Sequence, residues 1–374
     1  MKVAIVHDYL TKLGGAEKVL QTIHEIYPQA PIYTLLYDKK GTRGIFESEY
    51  KIISSKLQNL PGFLRRRSRL LLSKFPRAIE EFDFSQFDLV ISSSNSFAHG
   101  VITPEKTLHI TYCYSPMRYS WDWAHNYLKE NNIGMGPLGL YIRSIISKIR
   151  LWDYNASKRT DEWIAISKTV AKRILKYYRK QSEIIYPPVD IEELLKNDKK
   201  PKKYYLIVSR LTQYKNIDLA IKAFNQLEIP LYIIGEGADE KRLKSIAKEN
   251  IKFLGWKNDQ ERNSFLSECR AFVFPGEDDF GLTPVEAMAA GRPVIALNSG
   301  GATETVVPGE TGEFFDQTDK IDDLVKIVNK VEKNYSAYKS EVCKNQAKKF
   351  SEEVFVTNFK NYIEKKYREF KNES

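Results

Sequence analysis

"PGEDDFGLTPVEAMAAGRPVIAL", residues 275–297, is the stretch on which the fold turns. A short apolar run, "AFVFP" at 271–275, hands over to Glu277, Asp278 and Asp279, a Phe-Gly pair and a segment of helical character. A second apolar run, "PVIAL" at 293–297, follows at once. Strand, crossover helix and strand in that order make one step of a parallel sheet. Thr283, Pro284 and Glu286 fit an N-cap, a first-turn proline and the acid of a capping box, so one reading of Glu286 is a helix cap. A second reading comes from its neighbours. Phe280, Gly281, Leu282 and Thr283 bring backbone N–H groups to a helix N-terminus, where dipole and free donors suit a phosphate. The acids then have hydroxyl groups as their targets, Asp278 and Glu286 each gripping one end of a molecule with hydroxyls on both sides of a phosphate. A nucleotide sugar has that shape.

Outward from this stretch the same rhythm fills the chain. Short Val-, Ile- and Tyr-rich runs occur at "KVAIVHDYL", "DLVISSS", "HITYCYS", "EWIAIS" and "EIIYPP" in the first half. In the second they are "YYLIVSR", "PLYIIGEG", "IKFLG", "AFVFP" and "PVIAL". Between the series lies "DIEELLKNDKKPKK", 190–203, charged and ending in a proline step, which reads as an interdomain connection. The sequence therefore predicts an α/β protein of two doubly wound domains, 1–189 and 204–350, with a linker at 190–203 and a C-terminal helix at 351–374 packing back. Ligands of such sheets sit outside the carboxyl ends of the strands, so the site is expected in a cleft where the two sets of strand ends face each other. In the tail, Val354, Phe355, Phe359 and Tyr362 form one docking face.

A phosphate needs cations, and "SRLTQYKNIDLAIKAF" supplies them. Arg210 ends a strand, and Lys215 precedes a helix whose Ile217, Ala220, Ile221 and Phe224 make a core-facing stripe. A forked Arg and a point-charge Lys on that turn suit a diphosphate leaving group, against the plainer reading of two solvated surface cations. Near the N-terminus "IVHDYLTKLGGAEKVL" runs strand, Gly14-Gly15, helix, and paired glycines permit positive φ and close approach to a ligand. A tight turn is the plainer reading. The dinucleotide pattern G-x-G-x-x-G is missing there. At "YIIGEGADE", Gly235 and Gly237 are followed by Glu240 where the third glycine belongs, which argues against nicotinamide or flavin.

The bulk composition sets outer limits. The chain has 374 residues, long enough for two cores, and 58 basic against 48 acidic residues give a net charge of +10, favouring anionic partners. Three cysteines, Cys113, Cys269 and Cys343, show no zinc spacing and point to a reduced, cytoplasmic setting. No apolar run reaches the roughly 18 residues of a spanning helix. "GFLRRRSRLLLSKFPR", 62–77, has six cations and no acid, interleaved with Phe63, Leu64, Leu70, Leu71, Leu72 and Phe75. It reads as a basic helix able to lie on an anionic membrane surface, or as a solvated helix packed on its domain. Nucleic acid is not expected as a partner, since no reading module is present and 48 acids dilute the charge.

Taken together, "LGGAEKVL", "YCYSPMRYSWD", "IIYPPVD", "VSRLTQYKNIDLAI", "GEGADEKRLK" and "EDDFGLTPVEAMAAGRPVIALNSGGATETV" resemble the retaining glycosyltransferases of family 4, with the GT-B fold of two Rossmann-like domains. The likeness is to the mannosyltransferase-like branch of bacterial surface polysaccharide synthesis. It implies a C-terminal domain that binds the nucleotide sugar and an N-terminal domain that binds the acceptor, a glycan on a lipid. By that resemblance Arg210 and Lys215 match the diphosphate-binding pair, and Glu286 the second acid of an E-x7-E element that holds the ribose. Asp278 stands at the first acid, usually Glu, which contacts the donor sugar. Gly14, Gly15, Tyr114, Gly235, Phe280, Gly281, Leu282 and Thr283 are the expected donor-binding positions.

Two departures stand out. Relatives of the branch read Tyr-Cys-His-(Thr/Ser)-Pro where this chain has Tyr114, and His99 stands where they commonly carry Lys, a possible pocket position or a structural histidine. The implied reaction is transfer of a hexose, mannose from GDP-mannose as first choice, with retention and with no covalent step, cofactor or metal. A UDP-sugar enzyme of the same fold and a catalytically weak binding or regulatory relative are the alternatives. The expected location is the cytoplasm, with peripheral contact at the inner face of the membrane.

Overall fold

A computed structural model describes residues 1–47, 50–66, 68–316 and 321–373. The chain divides into two units, one made of Met1–Tyr186 with Val356–Ser374, the other of Pro187–Phe355. The first holds a parallel sheet of seven strands: β1 (Val3–His7), β2 (Ile32–Thr34), β3 (Ile52–Ser54), β4 (Leu89–Ser94), β5 (Leu108–Cys113), β6 (Glu162–Ala165) and β7 (Glu183–Ile184). Their order is β3-β2-β1-β4-β5-β6-β7. The chain winds outward through β2 and β3, then restarts beside β1 with β4, so the topological switch lies between β1 and β4.

The second unit repeats the plan with six parallel strands. They are β8 (Tyr205–Val208), β9 (Leu231–Ile234), β10 (Ile251–Gly255), β11 (Phe272–Phe274), β12 (Val294–Leu297) and β13 (Gly312–Phe315), in the order β10-β9-β8-β11-β12-β13. Here the switch falls between β8 and β11, and ligands of doubly wound sheets sit at such a point.

All ten runs read as strands are strands. β2, β3 and β13 come in addition, three or four residues each, with no alternation to mark them. The helix Ile217–Leu227 buries Ile217, Ala220, Ile221 and Phe224 as expected, against a core shared with Tyr205, Ile207, Val273 and Phe315.

Residues 190–203 are not a free connection. Ile191 and Leu194 are buried, Val189 bridges to Ser351, and Asn197 donates to the carbonyls of Ser267 and Ala290 at 3.1 and 2.8 Å. Charge made this segment look like a linker, yet its two buried apolar residues and the Asn197 amide bind it into the second unit, and the units divide at Tyr186/Pro187. The C-terminal helix Glu352–Glu373 returns to the first unit, where the Phe359 ring meets Tyr112 edge-on and Tyr362 and Lys366 reach Glu162. Its buried face is Phe355, Phe359 and Ile363, four residues apart, while Val354 is exposed. Ser374, the last residue of that expected helix, lies outside the described residues.

The basic stretch 62–77 is also not one helix. It forms a short helix Gly62–Arg66, a 3₁₀ segment Ser68–Lys74 and a second helix beginning at Phe75. Arg67 lies outside the described residues. Leu71 and Phe75 are buried in the first unit's core, and Phe63 and Leu70 are exposed. Packing those two apolar side chains inward interrupts a continuous amphipathic helix.

Candidate active site

In the second unit, residues following β8 and β11 meet at the topological switch. Lys215 sits in a 3₁₀ turn, Gln213–Lys215, just before the helix Ile217–Leu227. Its Nζ lies 2.5 Å from both carboxylate oxygens of Asp278, which follows β11. The ammonium is largely shielded, 12% exposed, and stands 5.9 Å from the Phe274 ring centre. Arg210 follows β8, and its side chain is exposed and makes no ion pair among the described residues. Gly235, at the end of β9, backs this turn at φ +132, where a Cβ would stand 1.9 Å from the Ser209 carbonyl. Its place is thus a steric requirement for the Arg210 turn.

The helix Leu282–Ala289 starts at Gly281, whose φ of +85 puts it in the left-handed region, and no side chain caps it. Thr283 is therefore inside the helix, a correction to its expected place at the cap. The glycine takes that place because the turn there needs positive φ, which Thr adopts poorly. Phe280 is buried against Phe350. Glu286 is not a capping acid either. It is buried, its Oε1 stands 3.3 Å from Arg262 Nη2, and its Oε2 has no hydrogen-bond partner among the described residues. A buried carboxylate oxygen of that kind calls for a donor. Of the acids before it, Glu277 accepts from Ser299 Oγ at 2.7 Å, and the Asp278 carbonyl accepts from Gly301 N.

In the first unit, Gly14 is the extended N-cap of the helix Gly15–Ile26, and neither it nor Gly15 has positive φ. The glycine pair therefore makes a helix start, without the left-handed turn its sequence allows. Tyr114, after β5, donates from its hydroxyl to the Ala16 carbonyl at 3.0 Å and lies 2.8 Å from Ser93 Oγ. Burial raises its phenol well above the usual range. Ser93 in turn meets His7 Nδ1 at 3.0 Å, its partner in the β1–β4 register, and His7 Nε2 stands 3.6 Å from Glu17. Tyr114, Ser93, His7 and Glu17 thus form one polar chain. His99 lies inside the first unit. It is buried, with Nδ1 3.2 Å from Ser94 Oγ and Nε2 3.2 Å from Asp153 Oδ1, among Trp152, Trp163 and Tyr178. The apolar neighbours on three sides draw its ring inward.

Sequence reasoning missed Asp8. Its buried carboxylate accepts four consecutive backbone N–H groups, Asn95 to Ala98, at 2.6 to 2.9 Å, tying β1 to the segment after β4 across the switch. Its partners lie 87 to 90 residues away, so no spacing marks it.

Two doubly wound parallel units of this order, one carrying cations and acids at its switch, define the GT-B class of glycosyltransferase folds. Residues 190–350 match the family model of glycosyl transferases group 1. Among relatives, an uncharacterized glycosyltransferase of Methanocaldococcus jannaschii is 29% identical over 209 residues, 54% of this chain and 58% of that protein. A GDP-mannose-dependent monoacylated alpha-(1-6)-phosphatidylinositol monomannoside mannosyltransferase of Corynebacterium glutamicum is 35% identical over 136 residues, 32% of this chain and 35% of that protein. The chain thus spans about half, or less, of the curated relatives it matches. The crystal structure of HepE from Anabaena in complex with UDP superposes with a TM-score of 0.69 at 17% identity, covering 98% of this chain and all of that one.

Proposed function

We propose that the protein is a retaining glycosyltransferase that moves a hexose from a nucleoside diphosphate sugar to a lipid-linked glycan in surface polysaccharide synthesis. Mannose from GDP-mannose is the donor in this reading. One coincidence carries it: the family-matched unit has the Lys215–Asp278 pair at its switch, on the strand ends that also lead to the uncapped helix start at Gly281. Arg210 and Lys215 counter the diphosphate, and the amides from Phe280 to Thr283 cradle it. Glu286 accepts from the ribose through its unpartnered Oε2, and Asp278 contacts the sugar. The first unit, with Gly14 and Gly15 at the start of its first helix, binds the acceptor. Positioning and charge stabilisation then supply the rate, with no covalent enzyme intermediate and no metal. The name of the Corynebacterium relative supports GDP-mannose.

A UDP-sugar is the second reading, favoured by the UDP held in the HepE structure. A thermal-shift panel separates the two, because a ligand that binds the folded state raises its melting temperature. A rise with GDP and GDP-mannose but not with UDP supports the first, and the reverse supports the second. Turnover of the sugar followed by anomeric NMR tests the chemistry. A product of inverted configuration removes the retaining mechanism, and no transfer or hydrolysis at all leaves a binding relative.

Peripheral contact with an anionic membrane belongs to the same proposal. Among the described residues no helix is long and apolar enough to cross a membrane. Phe63 and Leu70 are exposed in the basic stretch, and Leu138, Leu140 and Tyr141 are exposed at the start of the helix Pro137–Ala156. Sedimentation with acidic vesicles that is lost in high salt supports this contact, and equal binding to neutral vesicles opposes its electrostatic form.

A further inference from the structure

The first unit contains a cavity of about 640 Å³ at the carboxyl ends of β1, β2 and β3, apart from the Tyr114 chain and from His99. Tyr9 and Lys12 line it from the segment after β1, Tyr37 and Lys40 from that after β2, and Gln58 and Arg65 from that after β3. Its walls are built. Gln58 bonds the Tyr37 backbone twice, at 3.0 and 2.8 Å, the Tyr37 hydroxyl donates to the Phe46 carbonyl, and Asp38 N donates to the Leu10 carbonyl. Gly41 lies so close to Thr11 that a Cβ would stand 1.9 Å from its carbonyl oxygen. These contacts fix the cavity's shape without any ligand.

Its charge is one-sided. Lys12, Lys40 and Arg65 face it with Asp38 as the single carboxylate of the lining. None of the three cations makes an ion pair among the described residues, and Arg65 Nε is buried with no hydrogen-bond partner. Asp38 is already engaged, its Oδ1 accepting from Lys40 N. The buried N–H left over on Arg65 is the costly feature, and with two exposed, unpaired lysines beside it around a preformed hollow the arrangement favours an anion.

The geometry points to a binding site for a phosphate-bearing ligand in this cavity, with Arg65 as the forked contact and Lys12 and Lys40 as point charges. Tyr9 and Tyr37 offer ring surface to the sugar or chain attached to that phosphate. As the phosphate of the acceptor, the ligand deepens the glycosyltransferase reading and rests on it. The anion site itself does not.

The test is lysine acetylation footprinting of the full chain with peptide mass spectrometry, using inorganic pyrophosphate as the probe and sodium chloride of equal ionic strength as control. Lys12 and Lys40 are expected to lose reactivity several-fold with pyrophosphate while Lys222 and Lys244 of the second unit keep theirs. R65Q, checked for folding by circular dichroism, is expected to lose that protection. Equal reactivity with pyrophosphate and chloride overturns the proposal, as does full protection in R65Q. Two further arms identify the source. Protection by a soluble hexose 1-phosphate assigns a free sugar phosphate, and protection by phosphatidylcholine vesicles carrying a polyprenyl diphosphate assigns a lipid-linked one. Because footprinting reads no turnover, a protein that protects Lys12 and Lys40 but transfers no sugar keeps this site and loses the glycosyltransferase reading.

Discussion

The hydroxyl of Tyr114 donates to the carbonyl of Ala16, 98 positions away in the chain and in the first turn of the helix that follows Gly14. Where the resembling branch has a histidine, this chain has a strut. The bond ties the strand end after β5 to the helix start after β1, and the Ser93 contact adds a second anchor. Y114F keeps the ring and removes both. Leaving the Ala16 carbonyl and Ser93 hydroxyl short of a partner costs about 1–3 kcal/mol. We expect the first unit to melt lower in thermal unfolding with its helix content unchanged. An unaltered melting temperature would mean that water replaces the phenol at no cost.

Asp278 occupies the very ammonium that a diphosphate would need. In the proposed donor complex Lys215 must share its charge or leave the carboxylate, so part of the phosphate attraction is offset before binding begins. D278N removes that competition and keeps the side-chain shape. The expected result, by calorimetric titration, is tighter binding of the free nucleoside diphosphate by several-fold, together with weaker discrimination between it and the nucleotide sugar. K215A moves the other way, with a loss of about 10²–10³-fold in kcat/KM if Lys215 stabilises the leaving group in the transition state. Weaker nucleotide binding in D278N would show that the carboxylate supports the site and does not compete in it.

Much of this was legible in the chain, and what was not has physical reasons. Apolar runs such as "PVIAL" and "AFVFP" are strands because burial in a parallel sheet leaves no polar alternation to misread. β2 and β3, three residues each, lie below the length at which any period can show. The capping reading of Thr283 and Glu286 followed residue identity, but the backbone of Gly281 decided where the helix begins, and that freed Glu286 to pair with Arg262. Asp8 and the cavity of Lys12, Lys40 and Arg65 depend on partners brought from separate strand ends, so only the folded chain assembles them.

Asp8 should matter to the fold out of proportion to its size. Four amide donors end on one carboxylate, and each bond to a charged acceptor contributes about 1.5–3 kcal/mol before neighbours compensate. D8A leaves four N–H groups without that acceptor, two of them on the buried residues Phe97 and Ala98. We expect a loss of at least about 3 kcal/mol in urea unfolding of the first unit, and a smaller loss for D8N, which retains one acceptor oxygen. A D8A protein as stable as its parent would show that water or a backbone shift satisfies the nest.

Acid should unfold the first unit through His109. This residue is fully buried on β5, its Nε2 2.8 Å from Ser92 Oγ, and desolvation first, then the nearby charge of His99, push its pKa from 6.5 down to about 3. The folded protein therefore holds His109 neutral while the unfolded chain protonates it below about pH 6.5. The sign follows: the unfolded state binds more protons between the two values, so the contribution is complete above pH 6.5 and falls away as the pH drops toward 3. A shift of this size corresponds to a few kcal/mol at most, about 1.4 per pH unit. H109Q cannot take up that proton and should flatten the acid limb of a stability-versus-pH curve measured by urea denaturation, whatever it costs at neutral pH. An acid limb as steep in H109Q as in the parent would assign the loss to other groups.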